Sequence, residues 1–568
     1  MNTQHTNATN ATSLLVNAML LTDGYKLGHI TMYPKGITKL YSNFTPRSNK
    51  HFQQADKGAV VFGVQYFIKK YLVDEFNATF FNRPKNEVVE EYATLLKNFL
   101  GDTVANQIGT KHIEQLHDLG YLPITIKSLP EGEYCPLNVP MLTITNTHKD
   151  FAWLTNYLET LLSNALWKPI NSATVADVFK RELIRHAVTT GFYNEKDTST
   201  IDFLCHDFSM RGMSGVEDTI VSGMGHLTSF AGSESVPAII GANYYYKSGL
   251  NCASTIPATE HSIECANAVG LDGKPDDEVY FKEMLERFPN GFISIVSDGF
   301  DYWKMIEEIV PKYKEQILNR DGRVVIRPDS GDPVDIICGL NSRTDLEFTK
   351  GVNCMHYRQK GSKDAEFSTC SMGEYYGTYE YLYNIFGGTI NPHGFKVMDS
   401  HIGLIYGDAI NMKRQKEIYA RLEKKDFAAT NLVLGIGSFT YQCVTRDNLG
   451  LAMKATYCEL EQVDEQGNTT TVKKNIYKDP KTVVGMPKKS LKGLLCVDAT
   501  NDSDAVTYCV RDEVTEQDEQ DGALEVVFTN GKITKETTLD EIRKTRFRRA
   551  ARTIIGVEYV NLRSDDEN

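Results

Sequence analysis

Four short apolar runs in the middle of the chain end in residues suited to phosphates, sugars or cations: FISIVSD at Asp298, RVVIRPD at Asp329, IGLIYGD at Asp408 and NLVLGIGS at Ser438. One such Asp alone is equally well a helix N-cap following a strand. The four in series point to a shared site at the carboxyl ends of parallel strands. Within IRPDSGDP, Arg327 sets a guanidinium fork for phosphate beside the Asp329 carboxylate, with a Ser-Gly turn between them and the next element. TIPATEHS places Glu260 directly before His261 after a proline turn, offering a held imidazole as nucleophile, although a lone histidine can as well be structural. HDFSMRGMSG puts Phe208 and Arg211 in one turn-forming stretch that fits a flat, charged ligand; HDF also reads as a strand end whose His206 hydrogen-bonds a neighbour.

Between residues 196 and 439 these motifs sit on β-rich runs closed by polar or Gly-rich turns and often followed by helices, the pattern of an α/β barrel. A segment at about 345–393, rich in Tyr, Gly and Ser with weak periodicity, reads as an insertion. Residues 14–195 and 440–568 read together as an α+β, β-rich domain, with residues 1–13 a loose polar tail. Residues 150–166 (DFAWLTNYLETLLSNAL) show apolar positions at three- and four-residue spacing, hence an amphipathic helix. Asn530-Gly531 between alternating runs predicts a type I′ hairpin, and a helix is expected from about Asp540.

At 568 residues, two domains or one large elaborated α/β domain are expected. No apolar run reaches bilayer length, the start lacks the features of a secretory signal, and the two Asn-Ala-Thr triplets near it read as chance. Eleven cysteines without paired C-x-x-C spacing fit neither a disulfide framework nor a zinc site, so a reducing, cytoplasmic setting is expected. The net charge of -13 disfavours non-specific attraction to nucleic acid or anionic membranes, so any phosphate site must be built locally.

The motifs occur together and in order as they do in nicotinamide phosphoribosyltransferases. The resemblance runs from LLTDGYKLGH and YSNFTPR through WLTNYLETLL, HDFSMRG, AGSESV, TIPATEHS, SIVSDGFD, IRPDSGDP and IYGDAI. It continues in TRDNLGLAMK, YKDP and VFTNGKITKETTLDEIRK, sparing the tail and the insertion. It implies an irregular α/β barrel of the type II phosphoribosyltransferase kind beside a β-rich domain built from both chain ends. It also implies a homodimer with active sites at the subunit interface.

By motif, Phe208 and a second subunit's Tyr25 would sandwich a pyridine ring, with Asp23 orienting neighbouring groups. Arg211, Arg327 and His261 would surround pyrophosphate and ribose. Asp298 and Asp329 would face the sugar and a magnesium ion held mainly by substrate phosphates, with no direct protein ligand assigned. Gly407, Asp408, Gly437 and Ser438 would hold the 5′-phosphate, with Arg47, Arg446 and Lys454 reaching in across the dimer and Lys478 on a loop near substrate phosphates. The glycine-rich run of the family is only partly kept in GIGSFTY. The resemblance also implies ATP as a coupled substrate that phosphorylates His261.

The resemblance makes AGSESV the selector of the pyridine. Glu234 stands where the nicotinamide enzymes usually have aspartate; it still accepts from a carboxamide and repels a carboxylate, so nicotinamide is favoured over nicotinic acid. Two basic stretches, residues 473–492 and 543–552, oppose the acidic whole, the second as a helix whose charge is a solvated face or a surface for a phosphate-rich partner. The competing classes are a nucleotide-forming transferase, an inactive nucleic-acid-associated or scaffold protein, and a metal-dependent phosphohydrolase using Asp298, Asp329, His206 and His261. The last lacks compact metal-ligand spacing.

Overall fold

The computed structural model describes residues 16–194, 198–362, 366–463, 465–480, 489–502 and 505–564. The expected tail and residues 481–488 of the first basic stretch lie outside the described residues. The chain forms two compact units, one from residues 1–170 and 446–537, the other from residues 171–445 and 538–568.

The first unit is organised by a seven-stranded sheet running Thr469–Asn475, Ala452–Val463, Ile37–Thr45, Leu142–Asn146, Ile124–Ser128, Glu525–Thr529 and Lys532–Ile533. Its pairs are antiparallel, and it takes strands from both chain ends, as expected. The last two strands are the Asn-Gly hairpin. Asn530 at φ 47 and Gly531 at φ 76 supply the two left-handed positions that a type I′ turn needs.

The second unit holds six parallel strands in the order Gly232–Ser233, Cys205–Phe208, Leu432–Gly437, Ile402–Tyr406, Gly322–Arg327 and Gly291–Val296. All four Asp- or Ser-ended runs are therefore neighbours in one sheet. The two edges are joined by an irregular stave: Ser254 bridges Gly232 and Ala258 bridges Ser294. Pro257 has no N–H to give a ladder but its carbonyl accepts from Ser294 N at 2.8 Å, and Thr259 N returns a bond to Ser294 O at 3.0 Å. Closure by isolated bridges makes the expected α/β barrel irregular.

Two sequence boundaries move. The amphipathic pattern at 150–166 becomes short turns at Lys149–Phe151 and Leu154–Tyr157, then one long helix, Glu159–Thr189. Its apolar period fades after residue 166 because Asn171, Ser172, Asp177 and Lys180 are buried there as polar groups. Lys180 Nζ, for instance, sits 2.6 Å from Asp202 Oδ1. The C-terminal helix, Leu539–Ser564, groups with the barrel unit and not with the β-rich one. Arg543 donates to the carbonyls of Leu227 (2.6 Å) and Phe230 (2.8 Å), and buried Arg546 pairs with buried Asp177. Part of the basic run is thus structural, with Lys544 and Arg548 left on the exposed side. The stretch read as an insertion is folded: strands Leu346–Lys350, Met355–Gln359 and Ser368–Cys370 form an antiparallel sheet. A helix, Met372–Tyr376, then starts on a Ser371–Glu374 capping box.

Candidate active site

A cavity of about 1510 Å³ runs inside the barrel. It is lined at the carboxyl ends of the strands by Phe208, Arg327, Asp329, Gly407 and Ser438, and at the opposite ends by Leu204, Phe292, Arg323 and Asn431. Phe208 closes strand Cys205–Phe208, and its ring lies against bare backbone. A Cβ on Gly435 would sit 2.4 Å from Phe208 Cδ2, and one on Gly407 2.9 Å from the same atom. These two glycines let an aromatic face turn into the cavity without a side chain beneath it.

Buried Asp207, which sequence reasoning passed over, fixes the turn after Phe208. Its Oδ1 accepts from Ser209 N at 2.9 Å and Ser209 Oγ at 2.6 Å, and its backbone carbonyl accepts from Glu234 N at 3.0 Å. Arg211 follows in the short turn Met210–Gly212 and lines the cavity with Glu234. Gly212 is where the strand-end loops meet, since a Cβ there would stand 2.1 Å from Ser438 Oγ.

His261 opens the helix His261–Ala268, and its half-exposed ring places Nε2 3.1 Å from Asp298 Oδ1. The other oxygen of Asp298 accepts from the backbone N–H groups of Asp329 (3.0 Å) and Ser330 (2.7 Å). Burial alone would raise the Asp298 pKa, but Ser330, the Asp329 N–H and His261 together hold it below the ordinary value. Asp329 behaves oppositely: burial pushes its pKa up, Arg327 opposes this, and the Asp298 charge adds to it. Arg327 Nη2 lies 3.7 Å from Asp329 Oδ2. Two adjacent strand ends therefore present together a carboxylate kept ionised, a second whose charge is more costly, and a guanidinium.

Two further groups went unseen in the sequence. Tyr406 Oη donates toward the Ser330 and Gly331 carbonyls at 2.9 and 3.0 Å, pinning the loop that carries Asp329. Arg414 donates to Ala409 O at 2.6 Å and lines a smaller cavity of about 400 Å³ with Asp408, Gly437 and Ser438. Tyr406 lies within IYGDAI and Arg414 just beyond it, but their roles have no local signature, because each acts through a backbone carbonyl distant in sequence or on a turn.

The remaining candidates lie in the first unit. Tyr25 is 61% exposed, with its ring edge-on to His29 at 4.9 Å. Asp23 Oδ2 accepts from Thr160 Oγ1 at 2.7 Å. Lys454 is surrounded by like charge: burial lowers its pKa most, Glu159 opposes this, and Arg47, Lys478 and Arg446 lower it further. The pKa of Arg47 is likewise lowered, by burial first and then by Arg446. Three of the predicted phosphate-binding cations, Arg47, Arg446 and Lys478, thus act on the fourth, Lys454, a repulsion that an anion would relieve.

Residues 203–532 match the nicotinate phosphoribosyltransferase (NAPRTase) family, and residues 17–126 match the N-terminal domain of nicotinamide phosphoribosyltransferase. A protein of Acinetobacter baylyi named nicotinamide phosphoribosyltransferase is 41% identical over 541 residues, covering 94% of this chain and 97% of that one. One of the same name from Mycoplasma pneumoniae is 32% identical over 455 residues, covering 77% and 88%. Another from Xanthomonas campestris pv. campestris is 29% identical over 533 residues, covering 93% and 98%. Similarity of this extent, running through both units and every strand end that lines the cavity, makes the chain a member of the nicotinamide phosphoribosyltransferase family.

Proposed function

We propose that this protein transfers the phosphoribosyl group of 5-phosphoribosyl 1-pyrophosphate to nicotinamide, giving nicotinamide mononucleotide and pyrophosphate. The observation that carries the reading is the Phe208 face and the His261–Asp298–Asp329–Arg327 group lining or adjoining one barrel cavity, in a chain 41% identical to a protein of that name. As the bond from ribose C1 to pyrophosphate breaks, positive charge grows on the sugar and negative charge on the leaving group. Carboxylates beside the sugar and guanidinium groups beside the pyrophosphate both lower that barrier. Asp298 and Asp329 supply the first, Arg211 and Arg327 the second. The pyridine nitrogen, stacked on Phe208, attacks C1 with its lone pair.

Magnesium fits this site as a substrate-borne ion. Asp298 is already engaged by two N–H groups and His261, leaving Asp329 as the freer carboxylate. Among the described residues no group of three His, Cys, Asp or Glu side chains converges to hold a metal. The ion would screen the diphosphate charge when bound. ATP belongs to the reading as a coupled substrate: His261, held through Nε2 by Asp298 and 46% exposed, offers its Nδ1 to a phosphoryl group.

The protein would act as a homodimer, Tyr25 of a second copy covering the ring face opposite Phe208. An exposed apolar stripe, Val236, Ile240 and Tyr244 on helix Val236–Tyr246, supports self-association. A cytoplasmic location fits the eleven free cysteines, and among the described residues no helix is long and apolar enough to cross a membrane.

The test is product formation from nicotinamide, phosphoribosyl pyrophosphate and magnesium, with and without ATP. Nicotinamide mononucleotide is expected, faster than the product of nicotinic acid at equal concentration. Phosphate release without pyridine would instead make the protein a hydrolase, and silence in every mixture an inactive scaffold.

A further inference from the structure

Glu234 poses a geometric problem. It follows the two-residue strand Gly232–Ser233, is exposed to the cavity, and carries one more rotatable bond than aspartate. A free glutamate spreads over many rotamers, and aiming it costs conformational entropy that an aspartate on the same backbone would largely avoid. A carboxylate that wanders selects poorly between a carboxamide and a carboxylate.

The barrel's irregular closure supplies the remedy. Gly232 bridges Ser254 in parallel, Ser254 N donates to Ala231 O at 2.9 Å, and Glu234 N is held on Asp207 O at 3.0 Å. Both backbones are therefore fixed where the closing stave meets the strand. Just beyond the bridge the side chains of Glu234 and Thr255 come together, and the Thr255 hydroxyl donates to Glu234 Oε1. Threonine suits this place because its branched Cβ restricts χ1, so the hydroxyl is presented in a defined direction. With Oε1 occupied by a donor, Oε2 keeps its lone pairs free to accept.

We propose that Thr255 is a specificity-determining positioning residue, which clamps the Glu234 carboxylate so that its free oxygen meets the carboxamide of the pyridine. The inference rests on the function proposed above. It adds that selectivity here resides in a Thr–Glu pair, one member of which touches no substrate. A carboxamide N–H₂ donates to the held oxygen, whereas a pyridine carboxylate meets a charge that cannot swing away.

The test compares Thr255→Val, which keeps the shape and removes the donor, with Thr255→Ser, which keeps the donor. Steady-state kcat/KM is measured for nicotinamide and for nicotinic acid at saturating phosphoribosyl pyrophosphate, alongside Tm. The expected result for Thr255→Val is a fall of about tenfold in the nicotinamide-to-nicotinate ratio, carried by KM for nicotinamide. KM for phosphoribosyl pyrophosphate and Tm hold, and Thr255→Ser restores the ratio. In a Glu234→Gln background, Thr255→Val should add little, because the two act as one unit.

A purely structural role would lower Tm or depress both pyridines alike, and either outcome overturns the inference. Wild-type preference for nicotinamide that survives Thr255→Val unchanged overturns the inference alone. A wild-type enzyme that prefers nicotinic acid overturns the functional reading, and the inference with it.

Discussion

Replacing Gly435 by alanine tests whether bare backbone beneath Phe208 sets the position of the ring. Gly435 lies in strand Leu432–Gly437, in register with His206 of the neighbouring strand. A methyl group there would stand 2.4 Å from Phe208 Cδ2, 2.6 Å from Cε2 and 2.8 Å from the Cα of Gly407. Carbon atoms in contact rest at ~3.5–4.0 Å, so something must yield by about 1 Å. The Gly407 side cannot give, because Tyr406 is paired with Leu434 in the same sheet. The ring must therefore move toward the cavity.

Overpacking of this kind costs ~1–3 kcal/mol of stability. A ring displaced by about 1 Å costs ~10²-fold in kcat/KM, here through KM for nicotinamide. The assay is nicotinamide mononucleotide formation at varied nicotinamide, with Tm measured on the same preparation. Truncating the ring in the double variant Phe208→Ala/Gly435→Ala should remove the ring's share of the stability cost of the alanine and leave the smaller share set by the Gly407 Cα at 2.8 Å. A Gly435→Ala enzyme with KM within twofold of wild type and an unaltered Tm would refute the argument.

Two further outcomes follow from buried charge. Glu264 is fully buried in the first turn of the His261 helix, and a Cβ on Gly299 would stand 2.4 Å from its Oε2. Burial, opposed by the Gly299 N–H and His261 and reinforced by Asp277 and Asp298, raises its pKa from 4.5 to about 7. The folded state thus binds more protons than the unfolded state between those values, so stability is full below pH 4.5 and falls as pH rises toward 7. At 1.36 kcal/mol per pH unit the loss is at most about 3 kcal/mol. Glu264→Gln should flatten urea-unfolding free energies across pH 5–7, and an unchanged slope would sink the assignment. Arg546→Met should destabilise the barrel unit by about 3 kcal/mol by removing a buried cation from the buried Asp177 carboxylate, which keeps Arg181 at 3.0 Å, and Asp177→Leu/Arg546→Met should recover part of it. Equal Tm values for wild type and Arg546→Met would show that the pair contributes nothing.

What the amino-acid sequence determined was whatever is written in local pattern. The β-rich runs ending at Asp298, Asp329, Asp408 and Ser438 named adjacent strands of one sheet, because strand propensity and turn chemistry are properties of neighbouring residues. Asn530-Gly531 named its hairpin for the same reason, two left-handed positions that few residue pairs tolerate. Tertiary structure alone decided how the barrel closes, since Pro257 breaks the ladder and only the meeting of residues 254–258 with both sheet edges replaces it. It also decided that Arg543 and Arg546 serve the interior rather than solvent, that polar residues continue the helix Glu159–Thr189 past its apolar stripe, and that Thr255 faces Glu234. These are choices about which polar groups lose water and which partners satisfy them. That depends on groups tens or hundreds of residues away, and no local period records it.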